Sequence, residues 1–149
     1  MRKLFMLLLM LLPVVARAEP LVILPIKLLD TSNEAKDQVQ DHQRRLDLMA
    51  SVLAEELPGT VLGREEVQAA CVRETTDCLI DLLKSRGAER GVFIVVQKSS
   101  TLILQIFANE VDVGQGRLVT HRELNFRGDN DEAWRRAGRF LARQLREAG

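Results

Sequence analysis

An excess of charge of either sign is missing from this sequence. Its 149 residues carry 21 Lys+Arg against 21 Asp+Glu, and no long basic run interrupts the balance. The electrostatic footprint by which nucleic-acid binding is first recognised is therefore missing. Histidine and cysteine are scarce at two each, tyrosine is absent, and only 4% of residues are aromatic. With so few of the usual reactive groups, no catalytic constellation stands out. There is no G-x-S-x-G nucleophile elbow, no D-x-[DN]-x-[DN]-G calcium loop and no C-x-x-C redox pair. Internal repeats and low-complexity tracts are lacking as well. Beyond the N-terminal leader, no apolar run approaches the ~20 residues that a bilayer span requires. The apolar content of 46% with balanced charge excludes a disordered chain. The length fits one domain, since domains usually run to about 100–200 residues.

What is present begins with that leader. Arg2 and Lys3 precede an unbroken apolar run from Leu4 to Leu12, Pro13 ends it, and Ala16-Arg17-Ala18 supplies small residues for a peptidase. This order of basic, apolar and small residues reads as a signal peptide over 1–18, followed by a single exported domain over 19–149. No cysteine follows the apolar run, so no lipid-attachment site is expected. Cleavage removes Arg2, Lys3 and Arg17, which leaves the remainder mildly acidic. The expected location is the periplasm, as a soluble protein without a membrane span after cleavage.

Hydrophobic periodicity then sets the elements. Residues 21–29 are apolar on both faces, as suits a strand covered on both sides, with a bulge or an edge required at Pro25. Residues 30–33 read as a turn and 34–40 as an exposed loop. Leu46, Met49, Ala50, Leu53 and Leu57 define one face of a helix over 41–57, with Asp41 as its cap and Pro58-Gly59 as its stop. A short strand at 60–63 and a helical turn at 64–70 follow. A second helix spans 77–86 and ends at Gly87. Residues 92–96 are β-branched and aromatic, which predicts a central strand. Lys98-Ser99-Ser100 reads as a turn into a strand over 102–113, apolar on both faces in its first half. A hairpin at Gly114-Gln115-Gly116 leads to a strand over 118–126 with Leu118, Leu124 and Phe126 on one face. The last helix covers 129–147. Trp134, Ala137, Leu141 and Leu145 share its core face, widened by Phe140, and Asp129 with Glu132 fits a capping box. The order β-α-β-α-β-β-β-α predicts an α/β (α+β) domain, a mixed sheet packed by helices, with a right-handed first crossover.

Few residues invite chemistry. Cys71 and Cys78 lie close in sequence, and in an oxidising compartment the simplest reading is a structural disulfide; a redox site is the alternative, because Cys78 sits at a helix start. His42 and His121 read as structural or solvated. The acids at 129–132 read as helix-capping groups that favour the positive end of the helix dipole, with a metal site as the alternative. Arg135, Arg136, Arg139, Arg143 and Arg146 lie on or beside the polar face of the last helix. That asymmetry favours docking over catalysis.

Several segments together resemble a family of small exported bacterial proteins of unknown function. They are Leu24-Pro25, Leu29-Asp30-Thr31-Ser32, Cys78 leading to Gly87-Ala88, Val96-Gln97-Lys98 leading to Leu102-Ile103-Leu104, and residues 127–136 around Asp131-Glu132 and Trp134. The family often carries a tighter cysteine pair, so the wider spacing here weakens any redox role taken from it. Its frequent occurrence with periplasmic quinoprotein (PQQ-dependent) alcohol oxidation implies an accessory role. The arrangement is also similar to the N-terminal domain of the Tol-Pal translocation protein. Periplasmic domains of curli-secretion and penicillin-binding-protein activator lipoproteins are similar too, and those are partner-binding modules. The resulting expectation is a non-catalytic accessory protein without a cofactor. It would dock on a periplasmic or envelope protein through Asp131, Glu132, Arg135, Arg136 and Arg139. A small-ligand or metal carrier is the first alternative and a thiol-redox protein the second.

Overall fold

The computed structural model describes residues 20–36 and 38–148; the expected signal peptide lies outside the described residues. In chain order the elements are β1 (Leu21–Ile23), β2 (Lys27–Asp30), α1 (Val39–Glu56), β3 (Thr60–Val61), α2 (Arg64–Ala70), α3 (Thr76–Ser85), β4 (Arg90–Ser100), β5 (Ile103–Asp112), β6 (Arg117–Phe126) and α4 (Asp131–Arg146). They form a single α/β domain around a mixed sheet of order β3-β1-β4-β5-β6, with β2 also paired to β4. The β3, β1, β2 and β4 pairings are parallel, and β4, β5 and β6 form an antiparallel meander. Among the described residues, no helix is long and apolar enough to cross a membrane.

The first strand breaks at Pro25, which has no N–H to give to a ladder. Ile23 pairs with Val92 and Lys27 with Val95, so this chain uses one residue more than β4 over the same stretch. That is a bulge, and it reverses the phase of the side chains. Ile23 faces one core layer while Val22 and Leu24 face the other; beyond the break Ile26 and Leu28 take over the first layer.

In that first layer α1 and α4 lie across the meander. Leu46, Met49 and Leu53 meet Trp134, Ala137 and Leu141 above Val92, Ile94, Val96, Leu104 and Ile106. Gly138 allows the two helices to approach closely, since a Cβ there would stand 3.2 Å from Val52 Cγ1 and 3.4 Å from Met49 Cγ. On the opposite face α2 and α3 bring Val67, Leu79, Ile80 and Leu83 onto Val22, Leu24 and Val113. Cys71 at the end of α2 is joined to Cys78 in the first turn of α3 by a disulfide. Thr75 caps α3 by accepting from the Cys78 N–H.

Several details depart from the sequence pattern. β4 continues through Lys98, so the turn lies beyond Ser100. The first half of β5 is buried only through Leu104, Ile106 and Ala108, and Ile103 stays exposed. The reason is that α2 and α3 reach only the end of the sheet beside Val111 and Val113. Leu118 is 54% exposed because a one-residue irregularity in the β5–β6 ladder, between Glu110 and Val111, takes it out of phase with Leu124. Phe140 is 43% exposed and lies under the Arg143 guanidinium, 5.3 Å from its ring centre. Asp41 makes no side-chain cap; α1 starts earlier, with Gln38 at the cap position.

Trp134 is fully buried and meets Phe126 edge-on at 5.6 Å between ring centres. Trp134→Ala should cost about 3–5 kcal/mol of stability in a denaturant titration. Reducing the Cys71–Cys78 bond should cost about 2–3 kcal/mol by loop-closure entropy, measured on the same titration with and without reductant.

Candidate functional site

The polar centre of the domain lies where α1, the β4–β5 turn and the start of α4 converge. Gly128, at φ +91°, turns the chain so that Asp129 points inward, and the Asp129 N–H donates to Thr101 O at 2.9 Å. Asn130 takes over the helix cap, accepting from the Ala133 N–H. Asp129 is therefore not the capping residue that the sequence suggested. Its side chain is 1% exposed. Oδ1 accepts from Arg45 Nη1 at 2.9 Å and from Trp134 Nε1 at 2.9 Å. Oδ2 accepts a hydrogen bond from His42 Nε2 at 2.7 Å and lies 3.1 Å from Lys98 Nζ.

Lys98 is completely buried. Its ammonium donates to Glu34 Oε2 at 2.8 Å and Gln38 Oε1 at 3.0 Å; with Asp129 this gives three acceptors for three protons. The other Glu34 oxygen accepts from the Thr101 N–H at 2.8 Å. The loop after β2 is thus strapped to the β4–β5 turn through one carboxylate. Burial opposes ionisation of Asp129, but the hydrogen bonds from His42, Trp134 and Lys98 and the charge of Arg45 outweigh it and hold its pKa down to about 2. Hydrogen bonds from Lys98, Thr101 and Gln38 lower Glu34 to about 2 as well. For Lys98, burial works against the charge, and Glu34 and Asp129 more than compensate, so its pKa is raised.

His42 connects this centre to the surface. It is 5% exposed, with Nε2 held by Asp129. Its Nδ1 lies 3.9 Å from Asp30 Oδ2, and the ring lines a groove of about 540 Å³. Pro25, Ile26, Leu28, Val39 and Leu46 supply the apolar part of that groove, and Lys36, Arg64 and Glu74 part of its rim. Among the described residues that line it there is no serine, threonine, cysteine or tyrosine. Among the described residues no group of three or more His, Cys, Asp or Glu is placed to hold a metal ion.

The residues singled out from the sequence do not act as one set. Asp131, half-exposed, bridges the helix pair: its Oδ1 accepts from Arg44 Nη2 at 2.9 Å and Arg45 Nε at 3.2 Å. Glu132 is taken up by Arg135 at 2.9 Å. Arg136 borders a hollow of about 280 Å³ between β6 and α4, with Leu124, Phe126, Arg127 and Phe140. Arg136 and Arg139 are exposed. Of the two cysteines Cys71 is buried and Cys78 is partly covered. Sequence reasoning missed Lys98, Glu34 and the central place of Asp129. A signal existed: Lys98 continues the alternation of Val92, Ile94 and Val96, and His42 lies one turn before Leu46 on the buried face of α1.

The chain belongs to the family described as Protein of unknown function (DUF2380), whose model matches residues 19–145. No curated protein matches the sequence. Among solved structures, the hypothetical protein CT253 from Chlamydia trachomatis is similar with a TM-score of 0.55 and 11% identity, over 87% of this chain and 98% of that one. PelC from Paraburkholderia phytofirmans, solved as a dodecamer, gives 0.51 and 12% identity over 91% and 90%. TolB from Acinetobacter baumannii gives 0.52 and 10% identity over 89% of this chain but 28% of its own. At such identities the likeness is one of fold: this is the α/β arrangement found in part of TolB.

Asp129→Ala should cost about 3–5 kcal/mol, because it strands buried cations. Asp129 and Glu34 both ionise below their usual range, so their contribution to stability is complete above about pH 5 and fades as the pH falls towards about 2. Unfolding titrations across that interval should show the loss, with a shallower slope in Asp129→Asn.

Proposed function

We propose that this protein is a non-catalytic periplasmic accessory module that docks on an acidic surface of an envelope protein through the outer face of α4. The observation that carries this reading is an imbalance of charge on that helix. Its N-terminal acids are consumed locally, Asp131 by Arg44 and Arg45 and Glu132 by Arg135. Arg127, Arg136, Arg139 and Arg143, by contrast, form no ion pair among the described residues. Arg127 and Arg136 line the hollow bordered by the exposed Phe140, and Arg143 lies over its ring. A cationic rim around an apolar seat suits a partner that offers carboxylates beside one apolar side chain: the seat supplies affinity, the rim steering and orientation. Docking thus centres on Arg136, Arg139 and Phe140, with Arg135 at the margin, and Asp131 and Glu132 act by shaping α4. The resemblance to TolB-like modules and the leader at 1–18 support a periplasmic setting. A quinoprotein alcohol-oxidation complex is the first partner to test, on the strength of the family resemblance alone.

The test is cross-linking and pull-down of the tagged protein from its own periplasm, read by mass spectrometry. One dominant partner should appear. Its affinity should fall about tenfold or more in Arg136→Glu/Arg139→Glu and decline with added salt. Full retention of that partner by the double variant would move the interface away from α4.

A further inference from the structure

The sheet is fully built on only one side of its parallel half. β3 accompanies β1 for two residues, the Leu62 N–H makes a last bond to Ile23 O at 2.9 Å, and Gly63 then starts α2. Among the described residues β2 therefore has β4 on one side and no strand on the other. Parallel ladders engage alternate residues. The Thr31 N–H donates to Lys98 O at 2.9 Å, so Lys27 and Leu29 turn their backbone groups towards β4. Leu28 and Asp30 turn theirs outward, and what they face is the groove of about 540 Å³.

We propose that this groove accepts an extended segment of a partner polypeptide, which adds a strand beside β2 in line with β3. An extended chain is the occupant whose donors and acceptors match an open strand edge. Side chains on one face of the added strand would rest on Ile26, Val39 and Leu46, and those on the other would face solvent. His42 adds a polar reader. Asp129 accepts from Nε2, which fixes the ring and presents its Nδ1 edge, with Asp30 Oδ2 3.9 Å away, at the groove wall where a polar group of the segment would meet it. Charge sets the orientation. Lys27 is neutralised by Glu74 on one rim, whereas Lys36 is in no close ion pair among the described residues and acts only at longer range on Asp41. The segment should therefore carry an acid where it passes Lys36. This surface is separate from the arginine face of α4 and does not depend on the docking reading given for it.

The experiment starts from an array of synthetic octapeptides with alternating apolar residues and one acid at each possible position. The best binder is then titrated calorimetrically into the full chain. Binding should weaken about tenfold or more in Leu28→Pro, which deletes an outward N–H that β4 does not use, and in Val39→Asp on the exposed wall. It should be unchanged in Arg136→Glu/Arg139→Glu, which separates it from docking at α4. By amide exchange, Leu28 should become protected on binding, whereas Leu29 is protected with or without peptide. This readout stands even if Leu28→Pro fails to fold. The proposal is overturned if no peptide binds more tightly than about 1 mM, or if one binds without slowing exchange at Leu28. It is equally overturned if octanoate raises the melting temperature, loses that effect in Val39→Asp, and no peptide does the same.

Discussion

The contact between Asp129 and Lys98 is the constraint on which the rest of the structure depends. A lone buried charge is costly, and two are tolerated only where geometry and further hydrogen bonds satisfy both. Here the ammonium has three acceptors and the carboxylate four donors. These groups come from the loop after β2, from α1, from β4 and from the start of α4. No one of these segments can shift without uncovering a charge that the others were placed to neutralise. The apolar layer beneath α1 and α4 supplies the bulk of the burial, and the polar centre sets which arrangement of those helices is allowed.

This division of labour explains what could be read from the sequence. The helices, the central strand and the meander follow from the spacing of Leu46, Met49 and Leu53, from the run at 92–96 and from Trp134, Ala137 and Leu141. These patterns report burial of apolar surface, which is local in sequence. The polar centre was not legible, since a rule that sends charged residues outward reads Lys98 as a turn and Asp129 as a cap. Only the partners, distant in sequence, make those positions inward. The partners of Asp131 were not legible either: Arg44 and Arg45, which bridge α1 to the start of α4, lie far from it in sequence.

Consuming the acids at the start of α4 has a second effect. The acids at its start are engaged in ion pairs, whereas Arg136, Arg139 and Arg143 are in none among the described residues. The sequence is neutral overall, with 21 charges of each kind, yet its folding sorts them, so that local potential bears little relation to net charge. Internal ion pairing thus decides which charges of α4 are left without a close partner, on a scaffold of helices packed on a mixed sheet.

The bulge at Pro25 has a bearing on how the chain can change. One residue of slack there sends Ile23 and Ile26 into the same layer although their spacing is odd. Removing that residue would restore an uninterrupted strand and at the same time move every side chain from Ile26 to Asp30 to the opposite face. The apolar pair Ile26 and Leu28 would be withdrawn from the core, and Asp30 carried away from His42. Length in this short segment is therefore a form of information: substitution can be tolerated at several of its positions, but insertion or deletion of a single residue rewrites which face of the sheet the following residues serve.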